Sequence, residues 1–151
     1  MLTQLRKRNE GFTIIEVLIV LAIAGLIMLV VFLAVPALQR NSRNTQYRNE
    51  ASRLLGAYNE TSSNNAGAVL TSTDAATVLA AANTKNFTSL TIEAQGGSTA
   101  PSLTSNRAVI RTAAKCSAAN SSTTTAGSTR QVVVLFQVET TGGTQDQCQE
   151  A

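Results

Sequence analysis

Histidine and tryptophan are absent from this chain, and aromatic residues make up only 4% of it. Without histidine, the usual general base near neutral pH and the commonest nitrogen ligand for metals are both missing. Aspartate occurs only at Asp74 and Asp146, whereas Ca²⁺ and Mg²⁺ sites gather several oxygen ligands in one place. No carboxylate pair, nucleophile constellation or phosphate-binding loop is visible, so no enzyme, cofactor or metal is expected. Cysteine occurs twice, at Cys116 and Cys148, too far apart for a zinc or C-x-x-C motif. In an oxidising compartment the two should pair; two buried free thiols is the alternative. The scarcity of large aromatic side chains implies a small core.

Net charge is equally uninformative about partners. The formal value is +3, but three of the 12 basic residues and one of the 9 acidic ones lie within 1–11. The remainder holds 9 and 8, about neutral and no electrostatic footprint for nucleic acid. Arg40, Arg43, Arg48 and Arg53 form a basic series suited to lipid headgroups or to acids on neighbouring molecules. The triplets starting at Asn59, Asn86 and Asn120 fit the glycosylation pattern, but so Asn- and Thr-rich a sequence produces them by chance.

What the chain does have is one long apolar run, Gly11 to Leu38, behind a leader containing Arg6, Lys7 and Arg8. Glu16 is its only charge, and the 22 residues from Val17 to Leu38 carry none. A helix of that length covers roughly 33 Å, against a bilayer core of about 30 Å. The run exceeds a secretory signal core, although small residues around Val35 to Ala37 leave a conventional cut there as an alternative. Thr13 and Glu16 have capping-box spacing, and an acid suits the first turn of a helix.

The segment G-F-T-I-I-E-V-L, with its polar leader, glycine border and lone acid, resembles the N-terminus of a type IV pilin precursor. The likeness spans roughly residues 6 to 60. It implies cleavage between Gly11 and Phe12 by a prepilin peptidase and methylation of the new Phe12 terminus. It also implies that Glu16 of one subunit meets the Phe12 amine of the next, with Thr13 beside it, during assembly. The partners implied are the peptidase/methylase, an assembly platform and ATPase, the membrane before assembly, and further copies of the chain in a homopolymer. The resemblance places the precursor in the cytoplasmic membrane, N-terminus inside, and the assembled fibre at the cell surface. It also implies unwinding between Gly25 and Pro36, although Pro36 lies later than the usual family position. Read from the residues alone, these two give a mild kink.

Beyond Leu38 the sequence turns polar. Tyr47, Ala51, Leu54 and Tyr58 then recur at helical spacing, so the helix is expected to continue to about Glu60 and stop near Asn64, Asn65 and Gly67. Residues 74–82 read as a short helix with Asp74 as N-cap, and 87–94, 107–112 and 130–139 as strands. Gln95 to Ser98 and Pro101 mark a turn, and the low-complexity stretch 117–129 reads as a mobile loop. The expected fold class is α+β: a long N-terminal helix, transmembrane in its first half, packed on a three- or four-stranded antiparallel sheet through Tyr47, Leu54 and Tyr58. A bridge between Cys116 and Cys148 then ties a C-terminal tail to that sheet. The expected divisions are a leader (1–11), a membrane or filament-core helix (12–38), its amphipathic extension (39–62) and a globular domain (63–151). Function is expected to be that of a structural pilin, with a secretion or competence pseudopilin, or a simple single-span anchored protein, as alternatives.

Overall fold

The computed structural model describes residues 11–94, 99–118 and 122–151. The basic leader, the expected turn at 95–98 and the Asn120 triplet lie outside the described residues. Two compact units, 1–38 and 39–151, are taken separately. The fold is α+β. Helix α1 (Ile14–Asn64) contributes to both units, and Gly25 and Pro36 lie inside it without interrupting it. Its start is two residues later than the sequence suggests, and its end at Asn64 falls at the expected stop signals.

In the second unit, α1 buries Ala51, Leu54, Leu55, Ala57 and Tyr58. Asn65 follows, then the left-handed pair Ala66 and Gly67, where the Gly67 N–H donates back to the Ser62 carbonyl at 2.8 Å. Gly67 reaches that conformation at no steric cost, which is why the helix stops there. A 3₁₀ turn (Ser72–Asp74) leads into α2 (Ala75–Ala82). Asp74 takes the N-cap position of α2 as expected, but its carboxylate does not bond that helix; it accepts from the Thr71 N–H at 2.9 Å and closes the preceding turn.

Among the described residues six strands follow: β1 (Ser89–Glu93), β2 (Arg107–Thr112), β3 (Ala114–Cys116), β4 (Thr124–Ala126), β5 (Val132–Thr140) and β6 (Gly143–Glu150). The main sheet has the order β1-β2-β5-β6, and β3-β4 form a separate two-stranded ribbon. The β1–β2 pair is parallel, unlike the all-antiparallel sheet expected. The connection from Glu93 to Arg107 is long enough to return the chain to the same end of the sheet. The remaining pairs are antiparallel. Two further expectations fail. The stretch 117–129 contains β4, and the supposed tail is β6, so Cys116 closes β3 and Cys148 lies within β6.

The sheet is covered on both sides. Ala108, Ile110, Val134, Phe136 and Val138 share one core with the α1 stripe, Leu70, Val78 and Phe87. Phe87 stands between Tyr47 and Phe136, with ring centroids 5.6 and 5.9 Å away. Tyr58 also reaches this core; its hydroxyl accepts from the Leu70 N–H at 3.3 Å, and burial pushes its phenol above the ordinary range. On the opposite face Val109, Val133 and Leu135 are fully buried. The β3–β4 ribbon is tied to that side. Cys116 of β3 bonds Cys148 of β6 with Cα atoms 5.7 Å apart, and Arg111 donates to Thr124 of β4 at 3.1 Å and to Glu93 at 2.7 Å. Ala113, at the corner from β2 to β3, has φ 51°. Gly127 passes so close that an added Cβ would lie 2.9 Å from the Ala114 carbonyl carbon.

Two polar devices fix the second part of α1 to the domain. Glu50 is 4% exposed on the apolar stripe. Its carboxylate accepts from three successive backbone N–H groups, Lys85 at 3.2 Å, Asn86 at 2.9 Å and Phe87 at 3.3 Å, and from the Asn86 side chain at 2.9 Å. About two turns earlier, Arg43 grips Glu139 with two parallel bonds of 2.9 and 2.6 Å. Beside it the Asn44 amide donates to the Glu139 carbonyl and accepts from its N–H, both at 2.8 Å.

Three outcomes follow from these contacts. Glu50→Ala strands buried donors and should cost about 3–5 kcal/mol, read from the urea midpoint of the full chain in detergent. Replacing both cysteines with serine should cost about 3–4 kcal/mol by loop entropy, as should adding a thiol reductant to the unaltered chain. The bond from Arg43 holds the Glu139 carboxyl below its ordinary range. A depressed carboxylate stabilises above its unfolded pKa, and that contribution fades as pH falls through the folded value. Melting curves of Glu139→Gln and the unaltered chain should therefore differ at pH 7 and converge in acid.

Candidate functional site: the N-terminal segment

Gly11, Phe12 and Thr13 precede the helix in non-helical conformation, and Phe12 is 88% exposed. Among the described residues nothing crowds Gly11: a Cβ there would meet no atom within 4 Å. The Gly11–Phe12 peptide bond thus sits on accessible, non-helical chain, the form a peptidase needs to bind a substrate backbone.

Thr13 and Glu16 hold each other. The Thr13 N–H and hydroxyl both donate to Glu16 Oε2 at 2.8 Å, and the Glu16 N–H donates to Thr13 Oγ1 at 3.3 Å. This reciprocal pattern is a capping box, which satisfies donors that the first turn leaves open. Both bonds from Thr13 fall on Oε2; among the described residues no hydrogen bond to Oε1 occurs.

From Ile14 to Leu38 the large apolar side chains are exposed, including Leu18, Leu21, Leu26, Leu29, Phe32 and Leu33. The mean hydropathy of the most apolar window is 3.3, with none of it buried. An apolar helix near the N-terminus with bare sides fits a membrane-anchored precursor. A Cβ added at Gly25 would meet no atom within 4 Å, and Pro36 removes one helix donor.

The site residues foreseen from sequence fall into two groups. Gly11, Phe12, Thr13 and Glu16 lie together at the helix start, with Gly25 and Pro36 further along it; Cys116 and Cys148 form their bridge in the globular unit. Sequence reasoning overlooked Glu50 and the Arg43–Asn44–Glu139 clamp. For Glu50 a signal existed: it sits three residues after Tyr47 and one before Ala51, an acid on the apolar stripe, which requires a buried partner. For Glu139 there was none, because its partners are 95 and 96 residues away.

Residues 6–32 match the family model described as the prokaryotic N-terminal methylation motif. No curated protein and no solved structure matches the chain. With its exposed Gly11–Phe12 border, capped Glu16 and bare apolar helix, the chain carries the class III signal of type IV pilin and pseudopilin precursors.

Proposed function

We propose that this chain is a structural, non-catalytic subunit of a type IV pilus filament, cleaved after Gly11, methylated at Phe12 and polymerised through its apolar helix. The observation that carries this reading is the methylation motif at residues 6–32 placed directly on an exposed apolar helix. The precursor waits in the cytoplasmic membrane with residues 39–151 outside. A prepilin peptidase and methylase processes it, and an assembly platform with its ATPase draws copies into a homopolymer at the cell surface. The observed disulfide suits an external, oxidising location.

Cleavage would free an ammonium at Phe12, next to Thr13. Glu16 then has two tasks that do not compete. Oε2 remains with its own Thr13, satisfying the helix start, while Oε1 takes the Phe12 ammonium of the neighbouring copy. Lipid is as apolar as these helices, so burial from water does not drive their association; close packing and polar pairing must. A buried ion pair adds little raw stability, but it can set register.

N-terminal sequencing of material recovered from cells should read from a methylated Phe12; a chain still starting at Met1, or one starting near Ala37, overturns the proposal. Glu16→Ala should be cleaved and inserted normally yet assemble poorly, as counted by electron microscopy of sheared filaments. Long shed fibres made mainly of this chain would distinguish a pilus from the short fibre of a pseudopilin.

A further inference from the structure

The acids of the second unit are almost all spent internally. Glu50 holds the 85–87 backbone, Glu93 holds Arg111, Glu139 holds Arg43, Asp74 takes the Thr71 N–H, Asp146 takes the Gln137 amide and Glu150 takes the Cys116 N–H. Glu60 is the exception: it is exposed, and among the described residues it has no hydrogen bond or ion pair. It lies on α1, on the side away from the sheet, since the buried stripe runs through Ala51, Leu54, Leu55 and Tyr58. At about 3.6 residues per turn, Asn49, Arg53 and Glu60 share this bare face.

A complementary feature lies on the same side. An open groove of about 490 Å³ runs between α1 and the 85–86 segment, with Arg53, Lys85, Asn49 and Asn86 among its lining residues. Arg53 meets Glu50 at 3.6 Å, donates to the Asn83 carbonyl at 3.4 Å and keeps its side chain 51% exposed. Glu50 is already occupied by backbone N–H groups, so the guanidinium has donors to spare. Lys85 is exposed, and its ammonium has no acid partner among the described residues. The groove therefore presents two cations and amide donors, with one buried acid beneath them: a seat for a carboxylate.

Granting the filament-subunit role proposed for this chain, we infer that the bare face of α1 is a contact between copies, in which Glu60 of one copy pairs with Arg53 and Lys85 of the next. Parallel helices that carry their domains on the outside turn their uncovered faces toward one another. Glu60 follows Arg53 by seven residues, close to two turns, so a copy shifted by about 10 Å along the helix axis brings the two level. The charge pair favours that shift, because it brings the acid level with both cations and keeps like charges apart. The occupant of the groove is thus a second copy of this chain rather than a soluble anion.

The test is charge exchange in the full chain, in the cells that produce it. Glu60→Lys and Lys85→Glu alter exposed side chains with no internal partner, so the domain should melt as in the unaltered chain. Each alone should lower the yield of sheared filaments by about tenfold or more, and the double exchange should restore it. Carbodiimide treatment of unaltered filaments should join Glu60 to Lys85 of a different copy as an amide, identifiable in a dimer peptide by mass spectrometry. Filaments at normal yield from both single variants, or failure of the double variant to recover, overturn the contact while leaving the filament role intact. Absence of filaments from the unaltered chain overturns that role and the contact together.

Discussion

Everything in the globular unit hangs on β5 being buried on both sides. Val134, Phe136 and Val138 meet the α1 stripe, while Val133 and Leu135 point into the opposite layer. A strand with one wet face would alternate; this one reads V-V-V-L-F without a break, as doubly covered strands do. A domain with 4% aromatics has few other ways to remove enough apolar surface from water. Phe87 and Phe136 fill one layer, and β-branched residues fill both. The β3–β4 ribbon is consequently part of the core's construction, although its own residues are mostly small and polar.

Helix α1 answers a different constraint. Its residues 14–38 expose apolar side chains throughout, whereas 39–64 alternate between a buried stripe and polar faces. One regular backbone serves both settings because a helix satisfies its own hydrogen bonds whichever solvent surrounds it. The change of solvent is written entirely in side chains. Glu16 at one end and Glu50 further along show the same economy: each carboxylate is placed where backbone N–H groups are waiting, in the first turn of α1 for one and along the 85–87 segment for the other.

The sequence made some of this legible and hid the rest for identifiable reasons. The N-terminal motif was readable because its signal is local: Gly11, Phe12, Thr13 and Glu16 lie within two turns of one another. The Tyr47–Tyr58 stripe and the strands at 107–112 and 132–140 showed through their periodicity or continuity. The parallel β1–β2 pair did not, since direction depends on a connection whose path no pattern specifies. Strand β4 was masked by Ser, Thr and Ala, which say little about conformation, and β6 by its run of Gln and Asp, which resembles a solvated tail. Arg111 and Glu139 depend on partners remote in the chain, and no spacing rule reaches that far.

The bridge to Cys148 has a consequence for how such a chain is made. Its second thiol arrives on β6, the last strand to emerge during synthesis, so the β3–β4 cover cannot be fastened until β5 and β6 have both been delivered. A chain delivered from its N-terminal end therefore keeps one side of the sheet unfastened until β6 has arrived. The covalent latch thus closes only on a domain whose β5–β6 hairpin is already in place.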